Sequence, residues 1–189
     1  MYEGLDTIVL YEELAYEDVV PLEWRPLPEP FDPAVVGSFA DRNLRSLQAL
    51  AALEEHGQIV EKPDDSQHAA DIARLDLKVN LLLDMVGKLL VSSQPRPKPT
   101  SIRFNALGAV WHGSAPYPPL GNQGVLEVHL RDCIAEPLRL VGRIASIAPD
   151  GRIKARFIPP GEHIADLLEK LAFRKHRRQV AGVRQPKKP

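Results

Sequence analysis

Arg174, Lys175, Arg177 and Arg178 crowd into five positions near the end of the chain, and they are the groups best placed to do chemistry. No acidic residue follows Glu169, while Lys170, Arg184, Lys187 and Lys188 extend the run. Cations at that density grip carboxylates or phosphates; at a helix end they also complement the backbone dipole in water. Solvation and contact with an acidic protein are the readings that carry weight. Nucleic acid is disfavoured, because aromatics able to stack on bases make up only 6% of the chain.

Other chemistry finds little support. His56, His68, His112, His129, His163 and His176 are scattered without the i, i+4 pairing of a helical metal site. Cys133 is the single cysteine, so there is no thiolate cluster and no intrachain disulfide. It reads as a small buried or strand-end residue rather than a nucleophile. Gly121-Asn122-Gln123-Gly124 is a hairpin turn, not a phosphate loop. His112 and His129 fall on consecutive strands, where they are expected to form a surface pair. No metal, no cofactor and no enzymatic activity are expected.

The elements that must position these groups divide by charge. Residues 1–94 carry 7 Lys/Arg against 18 Asp/Glu, whereas residues 95–189 carry 17 against 7. Halves of opposite sign attract, within a subunit or across an interface. Residues 1–31 form an acidic arm, with a short strand or helix around Asp6 to Leu14 and then Pro21, Pro26, Pro28 and Pro30 stiffening the chain. Residues 32–92 form two helices. The first runs from the Asp32-Pro33 cap to about Glu55, with Val36, Ala40, Leu44, Leu47 and Leu50 on its stripe and Gly57 beyond its end. The second opens near Pro63, Asp64, Asp65 and Ser66 and reaches about Val91.

That second helix carries Ile72, Leu75, Val79, Leu82, Val86 and Leu89, at steps of 3, 4, 3, 4 and 3. Such a heptad seam belongs to helices that self-associate. Leu77, Leu81, Leu83 and Met85 widen the stripe beyond a two-stranded seam. The first helix is expected to fold back over the excess, with a homotetramer favoured over a dimer. No apolar run approaches the ~20 residues of a membrane span, and the first residues lack a signal-peptide pattern, so a cytoplasmic location is expected.

Residues 93–100 are a proline-rich linker, and the period then changes. Strands are expected around Ile102–Phe104, Leu107–His112, Val125–Leu130, Leu138–Ile147 and Ile153–Ile158. In the last, Ile153, Ala155 and Phe157 alternate with Lys154 and Arg156. Five short strands joined by turns suggest a small antiparallel barrel. A helix from about Glu162, with Ile164, Leu167, Leu168 and Leu171 on one side, closes the unit at 101–189. The fold class is α+β.

The proline-rich lead, the Ile102-Arg103-Phe104 strand, the small barrel and the closing helix ending in Phe173-Arg174-Lys175-His176-Arg177-Arg178 resemble the PilZ-domain family. The heptad helices resemble its atypical, oligomeric branch. The resemblance implies a bacterial regulatory module linked to cyclic di-GMP signalling, type IV pilus motility and virulence. It also implies where a ligand would sit. A typical member has Arg-x-x-x-Arg in the lead segment, followed by Asp/Asn-x-Ser-x-x-Gly. Here Arg96 is followed by Thr100 at the second arginine position. Arg103 stands where an acid or amide is expected, Asn105 where serine is, and only Gly108 fits. Lysine or threonine does not replace a planar bidentate donor. An adaptor acting through an unidentified, acidic protein partner is therefore expected, without cyclic di-GMP bound in the usual way. The alternative is a cyclic di-GMP receptor built on Arg96, Arg103 and the 174–178 cluster.

Overall fold

The computed structural model describes residues 14–28, 32, 34–56, 67–94 and 96–183. Six antiparallel strands close into a barrel: β1 (Tyr16–Pro26), β2 (Pro99–Phe104), β3 (Gly108–His112), β4 (Gln123–Val128), β5 (Leu138–Ile147) and β6 (Arg152–Phe157). Their order around the barrel is β1-β2-β3-β6-β5-β4. Among the described residues three helices accompany them, α1 (Ala34–His56), α2 (Gln67–Ser93) and α3 (Glu162–Val183). Alternate side chains fill the interior, among them Phe104, Leu126, Leu140 and Ile144. Ile164, Leu168 and Leu171 of α3 join the same core.

The sequence reading places five strands and leaves residues 1–31 as an arm. The structure corrects this, because Tyr16–Pro26 is the sixth strand. Tyr16–Pro21 pairs with β2, and Leu22–Pro26 pairs with β4. The period of two was present in buried Tyr16, Val20 and Leu22, but prolines masked it. Pro21 lies opposite Pro99, where β1 leaves β2 for β4. At such a change of partner a missing N–H costs little, and the Pro21 carbonyl still accepts from His129 N at 2.9 Å. The expected element around Asp6 lies outside the described residues, as do Gly57 and the caps at Pro63 to Ser66.

Asp32 caps α1, its Oδ1 accepting the Ala34 N–H at 2.9 Å. The helix then packs on β5 and α3. Leu47 and Leu50 are each 2% exposed. Asn43 accepts the Arg139 N–H at 2.8 Å and donates to its carbonyl at 2.7 Å, continuing the β5 ladder with a side chain. This differs from the expectation that the first helix folds back over the apolar excess beside the seam, since Leu77, Leu81 and Met85 stay open. The stripe that is buried, Asn43, Leu47, Leu50 and Glu54, is turned towards the barrel instead.

His112 and His129 do not face one another. β3 and β4 are not neighbours in the barrel, and His112 sits opposite Arg152.

Candidate functional site

Among the described residues, α2 carries an open apolar stripe. Ile72, Leu75, Val79, Leu82, Val86 and Leu89 are between 46% and 68% exposed, and Leu77, Leu81 and Met85 beside them are also open. Soluble chains rarely leave a contiguous apolar stripe uncovered. Between α1 and α2 lies a groove of about 590 Å³, lined by Ala49, Ala52 and Leu53 on one side and Val79 and Leu83 on the other.

The base of α2 is fixed to the barrel. Gly87 is buried against the β4–β5 loop, where a Cβ would come within 3.1 Å of the Asp132 Cβ. Just beyond the helix, the Arg96 side chain is 7% exposed. Its Nη1 donates to Asp132 Oδ1 at 2.9 Å and to the Arg131 carbonyl at 3.2 Å. Its Nη2 donates to the carbonyls of Asp132 at 2.9 Å and Ile134 at 3.2 Å. The planar fork is spent on its own chain, and it clamps the proline-rich linker to the loop.

The remaining candidates from the ligand-type motifs are also engaged locally. Arg103 Nη1 lies 3.0 Å from Glu17 Oε1. Buried Asn105 holds the β2–β3 turn, its Oδ1 accepting from the N–H groups of Leu107 at 2.9 Å and Gly108 at 3.2 Å. Gly108 opens β3 opposite Arg156. The structure thus separates Arg96 from Arg103, placing Arg103 and Lys175 together in a surface hollow that also contains Glu17 and Asp18. Acids line the hollow alongside the cations.

The basic cluster of α3 holds acids from the first half of the chain. Arg174 Nε and Arg178 Nη1 lie 3.2 Å and 3.0 Å from the two carboxylate oxygens of Glu54, whose side chain is 4% exposed. Lys175 binds Asp18 and lies 5.5 Å from the centre of the Tyr16 ring. Burial alone would raise the Asp18 carboxyl, but hydrogen bonds from Lys175, Tyr16 and the Val19 N–H together hold it below its ordinary value. Burial first, then Asp18, raises the Tyr16 hydroxyl. Of the four, Arg177 is the exposed one, while Arg174, Lys175 and Arg178 are half-buried. Arg184, Lys187 and Lys188 lie outside the described residues.

A polar cleft of about 720 Å³ brings Arg25, Arg96 and Arg139 around His129, with Glu23, Glu127 and Glu136 among them. Glu127 is buried and takes Arg139 Nε at 2.8 Å and Arg25 Nε at 3.2 Å. Burial, then the charge of Arg96, holds the His129 imidazolium below its ordinary pKa. Three arginines answered by three glutamates make this cleft close to neutral. Among the described residues no cluster of His, Cys, Asp and Glu is placed to hold a metal ion.

Asn43, Glu54 and Glu127 were not singled out from the sequence. A signal existed for the first two. Asn43 and Glu54 fall on one helical stripe with Leu47 and Leu50, and a polar group on an apolar stripe marks a buried partner.

A sequence model described as an atypical PilZ domain, cyclic di-GMP receptor, matches residues 47–185. Among solved structures, the chain resembles a pathogenic protein from Xanthomonas campestris, described as a tetrameric PilZ domain self-assembled through an unusual helical bundle. The two are 26% identical over 89% of this chain and 91% of that one, with a TM-score of 0.61. No curated protein matches the chain. With its closed six-stranded barrel, its flanking helices and a family match over most of its length, the chain belongs to the atypical PilZ-domain family.

Proposed function

We propose that this protein is a non-catalytic, cytoplasmic regulatory adaptor of cyclic di-GMP-linked signalling, in motility, type IV pili and virulence, assembled as a tetramer through α2. One observation carries the assembly: six apolar side chains at heptad spacing are open to solvent on a helix whose base is fixed to the barrel. Burying each contributes about 1.5–3 kcal/mol. The Xanthomonas campestris relative, described as tetrameric through a helical bundle, supports this reading. No helix among the described residues is long and apolar enough to cross a membrane.

The adaptor acts through protein contacts, and its barrel does not take cyclic di-GMP in the usual way. Supporting this, Arg96 is spent on backbone carbonyls and Asp132, and Asn105 on its own turn. The second reading, a receptor using unconventional arginines, is favoured by the family description and by the cleft that gathers Arg25, Arg96 and Arg139.

Light scattering tests the assembly. Wild-type protein runs as a tetramer at micromolar concentration, and Val79→Asp/Leu82→Lys dissociates it, because unpaired charges in a buried seam are costly. A monomeric wild type, or a double variant of unchanged mass, refutes it. Isothermal titration with cyclic di-GMP separates the two readings of the barrel. Saturable heat at micromolar ligand, lost in Arg25→Ala or Arg139→Ala, establishes the receptor.

A further inference from the structure

We propose that the β4–β5 loop is a proton-operated latch on α2, in which charging His129 unseats Arg96 and frees the base of the helix from the barrel. The joint lies within one subunit, so the inference stands apart from whatever assembly α2 makes.

The loop runs from His129 to Pro137. Its first residue is tied to β1, the His129 N–H donating to the Pro21 carbonyl at 2.9 Å. Within it, the Ile134 N–H reaches the Arg131 carbonyl at a long 3.3 Å. Arg96 adds its bonds to Arg131, Asp132 and Ile134, so a side chain from the linker shapes the loop. On that loop rests α2, with Gly87 packed against Asp132 and the Cys133 backbone. Among the described residues no strand or other helix packs along α2 as α1 packs along β5 or α3 along β1. What the loop and Arg96 hold is therefore the attachment of the helix.

His129 lines two hollows at this joint. It shares the polar cleft with Glu23 and Arg25 of β1, Glu127 of β4, Arg96, Glu136 and Arg139. It shares a smaller hollow, of about 370 Å³, with Tyr16 and Asp18 of β1, Glu54 of α1, Arg131 and Asp132 of the loop, and Lys175 and Arg178 of α3. Each acid in both is already held by a cation. Arg25 holds Glu23 and Glu127, Arg139 holds Glu127 and Glu136, Arg178 holds Glu54, Lys175 holds Asp18 and Arg96 holds Asp132. Tyr16 is neutral and donates to Asp18. An imidazolium formed here has no carboxylate of its own. Nor can its ring be satisfied in place, because Nδ1 is buried and makes no hydrogen bond. Neutral histidine tolerates that nitrogen as an unused acceptor, whereas the imidazolium leaves a buried N–H unpaired among guanidinium groups. Burial first and the charge of Arg96 second depress its pKa, the same conflict met from the proton's side. Something must yield. Arg139 is fixed by buried Glu127, and Arg25 is already largely in water. Arg96 sits outside every strand, so its departure breaks no ladder. A chain whose loop has opened to water titrates near 6.5. Between pH ~7.5 and ~5.5 the open form therefore gains up to about tenfold.

The chain carries its own reporter. Cys133 is its single cysteine, half-buried in the loop and beside Gly87. The test is its rate of reaction with dithiodipyridine in the full chain, at pH ~7.5 and ~5.5. Dividing the rate in the urea-unfolded chain by the rate in the folded one at the same pH gives a protection in which the chemistry of the thiol cancels. Wild-type protection falls severalfold, up to about tenfold, on acidification, while His129→Gln stays within about twofold. Emission from Trp24 and Trp111 stays native throughout, since the barrel remains closed. Constant protection in the wild type overturns the proposal. So does a parallel fall in His129→Gln, which assigns the effect to another group. Loss of native tryptophan emission along with the protection reduces the effect to global unfolding and also overturns it. If the glutamine variant fails to fold, His129→Phe carries the comparison. Light scattering at both pH values separates opening of the joint from loss of assembly, and a fall in mass that matches the fall in protection in both proteins counts against the latch.

Discussion

Replacing Arg96 with alanine removes four hydrogen bonds at once, two from each terminal nitrogen. A hydrogen bond to or from a charged group contributes about 1.5–3 kcal/mol when both partners are buried. Here the Asp132 side chain is 70% exposed, and the freed loop carbonyls regain water, so the four bonds do not sum. A loss of about 2–4 kcal/mol follows. For a chain of 189 residues, that lowers Tm by roughly 5–15 °C. Arg96→Lys restores less than half, because one ammonium cannot span Asp132 and three carbonyls. Emission from Trp24 and Trp111, stacked at 6.0 Å in the barrel, reports the transition. Protein concentration is held fixed, since Tm of an oligomer depends on it. A Tm within about 2 °C of wild type, together with loss of a cyclic di-GMP signal, would refute the clamp and make Arg96 a ligand group.

Glu54→Ala leaves Arg174 and Arg178 facing an apolar gap; it destabilises by roughly 2–3 kcal/mol in urea titrations, below the 3–5 of a fully buried pair because Arg178 is partly wet. Gly87→Leu presses a side chain against Asp132 and the Cys133 backbone. It lowers Tm while the seam keeps its mass by light scattering, whereas Gly87→Ala changes stability by about 1 kcal/mol or less, as helix propensity offsets the contact. Stability also falls with pH. The depressed His129 pKa means that the unfolded chain takes up a proton first, so stability present above the ordinary value of 6.5 declines as pH drops below it. Asp18, depressed below 3.8, adds a loss of the same sign at still lower pH. Urea midpoints measured from pH ~7.5 to ~5 fall in wild type and flatten in His129→Gln.

Five strands and three helices were legible because each keeps a clean period over its own length. Ile153, Ala155 and Phe157 needed only their neighbours to be read as inward-facing. β1 was not legible, since Pro21 and Pro26 argue locally against a strand, and what admits them is a change of partner set by residues far along the chain. The same distance hides the clamp. Nothing near Arg96 in sequence announces the carbonyls of residues 131–134 that it binds. The opposite charges of the two halves were visible as totals, and the pairs Glu54–Arg178 and Asp18–Lys175 realise that attraction within one subunit. The exposed apolar stripe of α2 was legible because a heptad is a local pattern.

The late arrival of β2 after β1 makes the helical hairpin an insertion into the barrel rather than a module attached to it. Residues 34–93 leave the sheet after its first strand and return before its second. Cutting the chain between helices and barrel, or beginning it at residue 47 where the family match starts, discards the strand that joins β2 to β4. Both would then present bare backbone edges, the template for pairing with another chain. Dissection would thus yield aggregates or strand-exchanged dimers in place of an isolated barrel. It also means that the pairing of Tyr16 with Phe104 closes a loop of nearly ninety residues, so the sheet completes itself only after the helices have been made. In a cell that order gives the helices time to meet one another while the sheet still lacks its final seam.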